Sequence, residues 1–109
     1  MSYFYNITFI TAKERKDNLI DYLKTDFIDK IYNDNSPAKN PDMRIVIETG
    51  GESVPEDHGV SIAVGVLIEK SEDVYRWQSE ILSPALSEFS LKFGEEAVFF
   101  TTLMENLLG

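Results

Sequence analysis

Segment order constrains this chain more than any single residue does. Apolar residues follow a strand-like pattern, then a helix-like one, then two more strand-like runs, a second helix and a last strand. Two β-α-β-like halves therefore stand back to back. The first run, YFYNITFIT at residues 3–11, turns Tyr3, Tyr5, Ile7 and Phe9 to one side and Phe4, Asn6, Thr8 and Ile10 to the other. Thr11 is placed as a helix N-cap, with Glu14 three residues on as capping-box partner. Leu19, Leu23, Phe27 and Ile31 recur every four residues, broadened by Ile20 and Ile28, and predict a helix over 12–32. The run Asn33 to Pro37 ends it, and a polar connector continues to Pro41.

The second half repeats the plan. MRIVIET at 43–49 reads as a strand. Gly50 and Gly51 read as a turn, and with the acidic stretch to Asp57 they form a mobile loop, too long for a tight hairpin. VSIAVGVLIE at 60–69 is the third strand, where Gly65 signals a bulge or a close approach. Ser71 is expected to cap the second helix, with Glu72 and Asp73 at its positive end. Val74, Trp77, Ile81 and Ala85, with Leu82 and Phe89, form its apolar stripe. Pro84 interrupts that stripe and predicts a bend, or a restart at Ser83-Pro84. Gly94 is expected as a left-handed C-cap. AVFFT at 97–101 is the last strand, and 102–108 either extends it or makes one helical turn. The fold expected is α+β and ferredoxin-like: one domain over 1–109, a four-stranded antiparallel sheet with both helices on one face.

Composition narrows the partners. At 43% hydrophobic and with thirteen aromatic residues, the chain can bury a core of its own. A net charge of −9, with ten Lys and Arg scattered along the chain, argues against nucleic acid and against an anionic membrane surface. The absence of cysteine removes disulfides, thiolate metal sites and cysteine nucleophiles. The N-terminus has no basic, apolar leader pattern, and no apolar run approaches the ~20 residues of a membrane span, so a cytoplasmic location is expected.

Two helices on one face leave the other face bare. Strands one and four are rich in aromatic residues on both faces, so an uncovered face exceeds what a soluble monomer usually exposes. A second copy packed sheet to sheet would cover it. The expectation is a homodimer through the open sheet face, with room for a small-molecule ligand at the junction.

The segments YNITF, HGVSIAVGVLIE, SPAL and LKFGEEAVFFTTLMENLL together resemble an uncharacterised family of short Bacteroidetes proteins, known only as a domain of unknown function. That family is similar in pattern to dimeric ferredoxin-like α/β barrels. Its markers here are Pro84, Phe93-Gly94 and the apolar ending at 102–108. The resemblance implies fold and dimerisation. The barrel superfamily includes cofactor-free oxygenases, haem-degrading enzymes and isomerases, but membership carries no activity by itself.

Candidate chemistry is sparse. His58, the one histidine, follows Glu52, Glu56 and Asp57 and is either a general base, a single metal or haem ligand, or an exposed loop residue. Trp77 lies at core spacing, although it could line a pocket. Cofactor-free oxygenases use Asn, Trp and His together, and Asn6, Trp77 and His58 are the residues able to supply that trio. No EF-hand pattern, phosphate-binding glycine motif or second histidine points to a metal or cofactor, and none is expected. The preferred reading is a small homodimeric binding or interaction domain without catalytic machinery. The alternative is a cofactor-independent oxygenase or isomerase acting on a small molecule.

Overall fold

The computed structural model describes residues 2–108, apart from the side chain of Glu56. Its centre is a four-stranded antiparallel sheet in the order β2-β5-β1-β6. β1 is Tyr3–Thr11, β2 Lys39–Ile45, β5 Val60–Ile68 and β6 Ala97–Glu105, while β3 (Glu48–Thr49) and β4 (Glu52–Ser53) form a separate small hairpin. Between β1 and β2 runs the rod α1, from a 3-10 turn at Lys13–Arg15 to Ile28–Ile31. Between β5 and β6 runs α2, from Ser71–Trp77 to Ser83–Phe93. This is the expected two-layer α+β arrangement.

Alternation along the central strands separates the two faces. Tyr5, Ile7, Phe9 and Thr11 of β1 are buried, as are Val60, Ile62, Val64, Val66 and Ile68 of β5. They meet Leu19, Leu23, Phe27 and Ile31 of α1 and Val74, Trp77, Leu82, Ala85 and Phe89 of α2 in one core. Phe9 is its hub, with ring centroids 5.2 Å from Phe27 and 4.8 Å from Phe89 in edge-on geometry. Trp77 locks three elements together. Its ring stands edge-on to Tyr5 at 5.2 Å, and its Nε1 donates to the Ile31 carbonyl at 3.0 Å. That carbonyl ends α1 and would otherwise lack a helical partner; the Ser36 hydroxyl also donates to it, at 2.9 Å.

Both rods contain a π turn, at Leu23–Phe27 and Gln78–Leu82. The second immediately precedes Ser83-Pro84. Proline has no N–H to return to the carbonyl four residues earlier, and a wider turn ahead of it relieves that mismatch. The rod therefore continues through Pro84 instead of starting afresh.

Several local expectations need correction. Thr11 does not cap α1: it stays in β1, and its hydroxyl donates to the Glu96 carbonyl at 2.7 Å. No side-chain hydrogen bond caps that rod at Ala12. Lys70, not Ser71, occupies the cap position of α2. The segment after the second strand is not a long loop. Gly50 and Gly51 have φ of 63° and 83°, which only a two-residue mirror-image turn demands of both positions, and they close the β3–β4 hairpin. β2 starts at Lys39, within the supposed connector, because a bulge lets the strand absorb Asn40-Pro41. The register shifts between Lys39 and Asp42, with Asn40 at φ 50°. Gly94 ends α2 at φ 56°, but its ψ of −126° lies outside the left-handed helical well. The ending resolves in favour of strand: β6 runs on to Glu105.

Candidate functional site

The sheet face away from the rods is the largest feature the fold leaves unpartnered. Register places Phe4, Asn6, Thr8 and Ile10 of β1 beside Met104, Thr102, Phe100 and Val98 of β6. On the other side they adjoin Leu67, Gly65, Ala63 and Ser61 of β5. Val98 is 57% exposed, Phe100 53% and Met104 43%. Charge is confined to β2, where Asp42 and Arg44 pair with each other at 3.2 Å and Lys39 pairs with Glu69 at 3.0 Å. The β1–β6 half of the face carries none. Asn6 Nδ2 donates to Thr8 Oγ1 at 2.9 Å, so part of the polar content is satisfied within the face.

Gly65 is there because Phe4 lies over it. A Cβ at Gly65 would stand 2.3 Å from Phe4 Cζ and 3.0 Å from Asp42 Oδ1. The aromatic ring thereby covers backbone that a strand glycine would otherwise expose. Gly65→Ala is expected to force the ring off the strand, and Phe4→Ala should relieve the clash. A double-mutant cycle by denaturant unfolding should give a coupling of about 0.5–3 kcal/mol; additive single effects would contradict this packing.

At the end of the open face a groove of about 550 Å³ is floored by Ile10, Val98, Ala97 and Gly59 and rimmed by Glu14, Asp57, Glu95 and Glu96. Lys13 pairs with Asp57 and Arg15 with Glu96 at that rim. A second cleft, of about 400 Å³, lies between the rods. It is lined by charged groups of both signs around Tyr22, and Lys92 Nζ sits 5.8 Å from the Tyr22 ring centroid. Burial pushes the Tyr22 hydroxyl above its ordinary range, with neighbouring Lys30 opposing the shift.

The three candidate residues do not converge. Trp77 is fully buried in the core, on the rod side of the sheet. Asn6 is on the opposite side, one position along from buried Tyr5 and Ile7. His58 is exposed in a 3-10 turn at Glu56–His58, between groove residues Asp57 and Gly59. Of the acidic trio, Glu52 sits in β4 and Asp57 in the 3-10 turn, while the Glu56 side chain lies outside the described structure. Among the described residues, no group of three or more His, Asp or Glu side chains is placed to hold a metal ion. Sequence reasoning named Glu14 and Asp57 separately but not the groove, because its floor lies at strand ends and its rim in three 3-10 turns that only the sheet order brings together.

A family model matches residues 2–107: Domain of unknown function (DUF4286). The chain belongs to this family. No protein of curated function matches it. Among solved structures, similarity extends over whole chains at very low identity. An ethyl tert-butyl ether d (ethd) family protein from Bacillus halodurans aligns at TM-score 0.67 and 10% identity, covering 96% of this chain and 99% of its own. HapK from Hahella chejuensis aligns at 0.59 and 8%, covering 100% and 95%. A dimeric ferredoxin-like protein from an uncultured marine organism aligns at 0.52 and 9%, covering 100% and 99%. At such identity the likeness concerns the fold, which is ferredoxin-like. Among the described residues, no helix of this DUF4286 chain is long and apolar enough to cross a membrane.

Proposed function

We propose that this DUF4286 chain is a homodimeric binding module whose two copies pack open face to open face. The observation that supports it most is the uncharged β1–β6 half of that face, with Val98, Phe100 and Met104 each two-fifths exposed or more. Apolar area in contact with water costs about 25 cal/mol per Å², and a second copy removes that contact for both partners at once. The chain's net charge of −9 opposes self-association, so a stable contact has to be made where charge is absent. A dimeric protein among the similar folds is consistent with this reading.

In the dimer, the groove beside Ile10 and Val98 borders the shared face and is where a small ligand would sit. Its acidic rim favours a neutral or cationic apolar molecule over an anion. Catalysis by Asn6, Trp77 and His58 gains no support, since the sheet stands between the first two.

Phe100→Glu tests the face. Four strands of the sheet remain intact, because Phe100 is half-exposed and makes no part of the buried core. The expected result is a molecular mass, by sedimentation equilibrium at micromolar concentration, half that of the wild type. A wild-type mass of 12.4 kDa, that of one chain, would exclude self-association altogether.

A further inference from the structure

The two edges of the sheet are built differently. β2 is blunted: its register breaks at Asn40-Pro41, and Lys39 and Arg44 put charge along it. These are devices that keep an edge from pairing with other chains. β6 has none of them. It pairs with β1 over nine consecutive residues without a shift, and from Ala97 to Met104 it contains no proline and no charge. Among the described residues, no strand pairs with its outer side. Asn106 N–H donates to the Ser2 carbonyl at 2.9 Å, which extends the β1–β6 ladder and sets its phase. By antiparallel alternation Met104, Thr102, Phe100 and Val98 turn their N–H and C=O toward β1, and Ala97, Phe99, Thr101, Leu103 and Glu105 turn theirs outward.

We propose that this edge pairs antiparallel with the β6 edge of a second copy, about a two-fold axis at Thr101. Outward residues must face outward residues, so an antiparallel self-pairing centres on a single residue, either an outward one or one that lies between two of them. Centring on Thr101 uses the whole strand and sets apolar residues against apolar ones at two of its positions, with Phe100 across from Thr102. Phe99 then faces Leu103 of the second copy, Val98 faces Met104, and the two Thr101 side chains meet. Apolar, aromatic and Thr–Thr cross-strand pairs of this kind are stabilising, and no like charges oppose one another before the strand ends. Beside the edge, an apolar groove of about 590 Å³ holds Leu86, Leu91 and Phe99, and Leu91 is 87% exposed. The same two-fold axis brings the α2 rod of the second copy against it.

This contact is separate from the face contact under Proposed function and stands without it. The edge axis runs perpendicular to the sheet, and the face axis lies parallel to it. Where the two perpendicular two-folds intersect, they close into a four-copy assembly instead of an open filament.

The variant Thr101→Pro deletes one outward N–H and leaves the ladder to β1 alone. Thr101→Lys keeps the backbone and sets two like charges across the axis. Each is expected to halve the wild-type mass in sedimentation, with unchanged far-ultraviolet circular dichroism. Phe100→Glu halves it by the other contact, and Phe100→Glu with Thr101→Lys gives single chains. A wild-type mass of two chains that falls to one with Thr101→Lys but not with Phe100→Glu would support the edge and sink the face. The reverse pattern would overturn the edge. Hydrogen exchange offers a check without substitution: the amides of Phe99, Thr101 and Leu103 should be protected in the wild type as strongly as their neighbours. Rapid exchange there would leave the edge open to an extended segment of another protein, and would also overturn the proposal.

Discussion

Trp77→Ala is expected to lower the unfolding free energy by about 3–5 kcal/mol, the range for removing a large aromatic side chain from a packed core. Trp77 is fully buried, touches Tyr5 edge-on and holds the Ile31 carbonyl. Trp77→Phe separates the two contributions. It keeps most of the ring and loses only the N–H donor, and Ser36 remains on that carbonyl. Its cost should be about 1 kcal/mol for the hydrogen bond, plus a small packing loss. Urea unfolding followed by far-ultraviolet circular dichroism measures both, since Trp77 is the single tryptophan and its fluorescence disappears with it. The midpoint should fall at constant slope. A loss under 1 kcal/mol for Trp77→Ala would contradict the packing described here.

Ile7→Asp is expected to leave the chain unfolded at neutral pH, whereas Thr8→Asp leaves it folded. The two positions are adjacent on β1 but face opposite ways. Ile7 is 0% exposed opposite Val64, which is equally buried, and Thr8 lies on the open face. An unpaired carboxylate in such a core has its pKa raised by up to about 3–5 units. At 1.36 kcal/mol per unit that is a penalty of about 4–7 kcal/mol, on top of the lost isoleucine packing. Domains of this size have about 5–15 kcal/mol in all. Because the folded-state pKa is raised, the penalty is full above that pKa and vanishes below the unfolded value of about 3.9. Partial refolding of Ile7→Asp on acidification is therefore the signature, followed by circular dichroism. If Thr8→Asp unfolded the chain just as completely, the assignment of faces would be wrong.

The assignment of faces was readable from residue order, since alternation in YFYNITFIT and VSIAVGVLI separates buried from unburied positions in the folded sheet. The rods were readable too, from Leu19, Leu23, Phe27 and Ile31, and from Val74, Trp77 and Ala85. What escaped were features whose local signals point the wrong way. Asn40-Pro41 has the look of a connector, yet an edge strand tolerates it through a bulge. Gly50-Gly51 reads as a turn within a long loop, and the flanking residues form too short a pattern to announce the hairpin that it closes. Thr11 has the residue type of a helix cap, and a distant carbonyl, that of Glu96, takes its hydroxyl instead.

Periodicity in the sequence alone determined which elements form and which side of each is apolar, because side-chain direction repeats with the backbone over a few residues. The tertiary structure decided which strands neighbour one another, and so which groups share a groove, a face or an edge. The order β2-β5-β1-β6 places β1 and β5 inside and leaves β2 and β6 as edges. It also separates Asn6 from Trp77 by the thickness of the sheet. Such neighbourhoods depend on how the rods pack across strands far apart in the chain, and no local pattern encodes that distance.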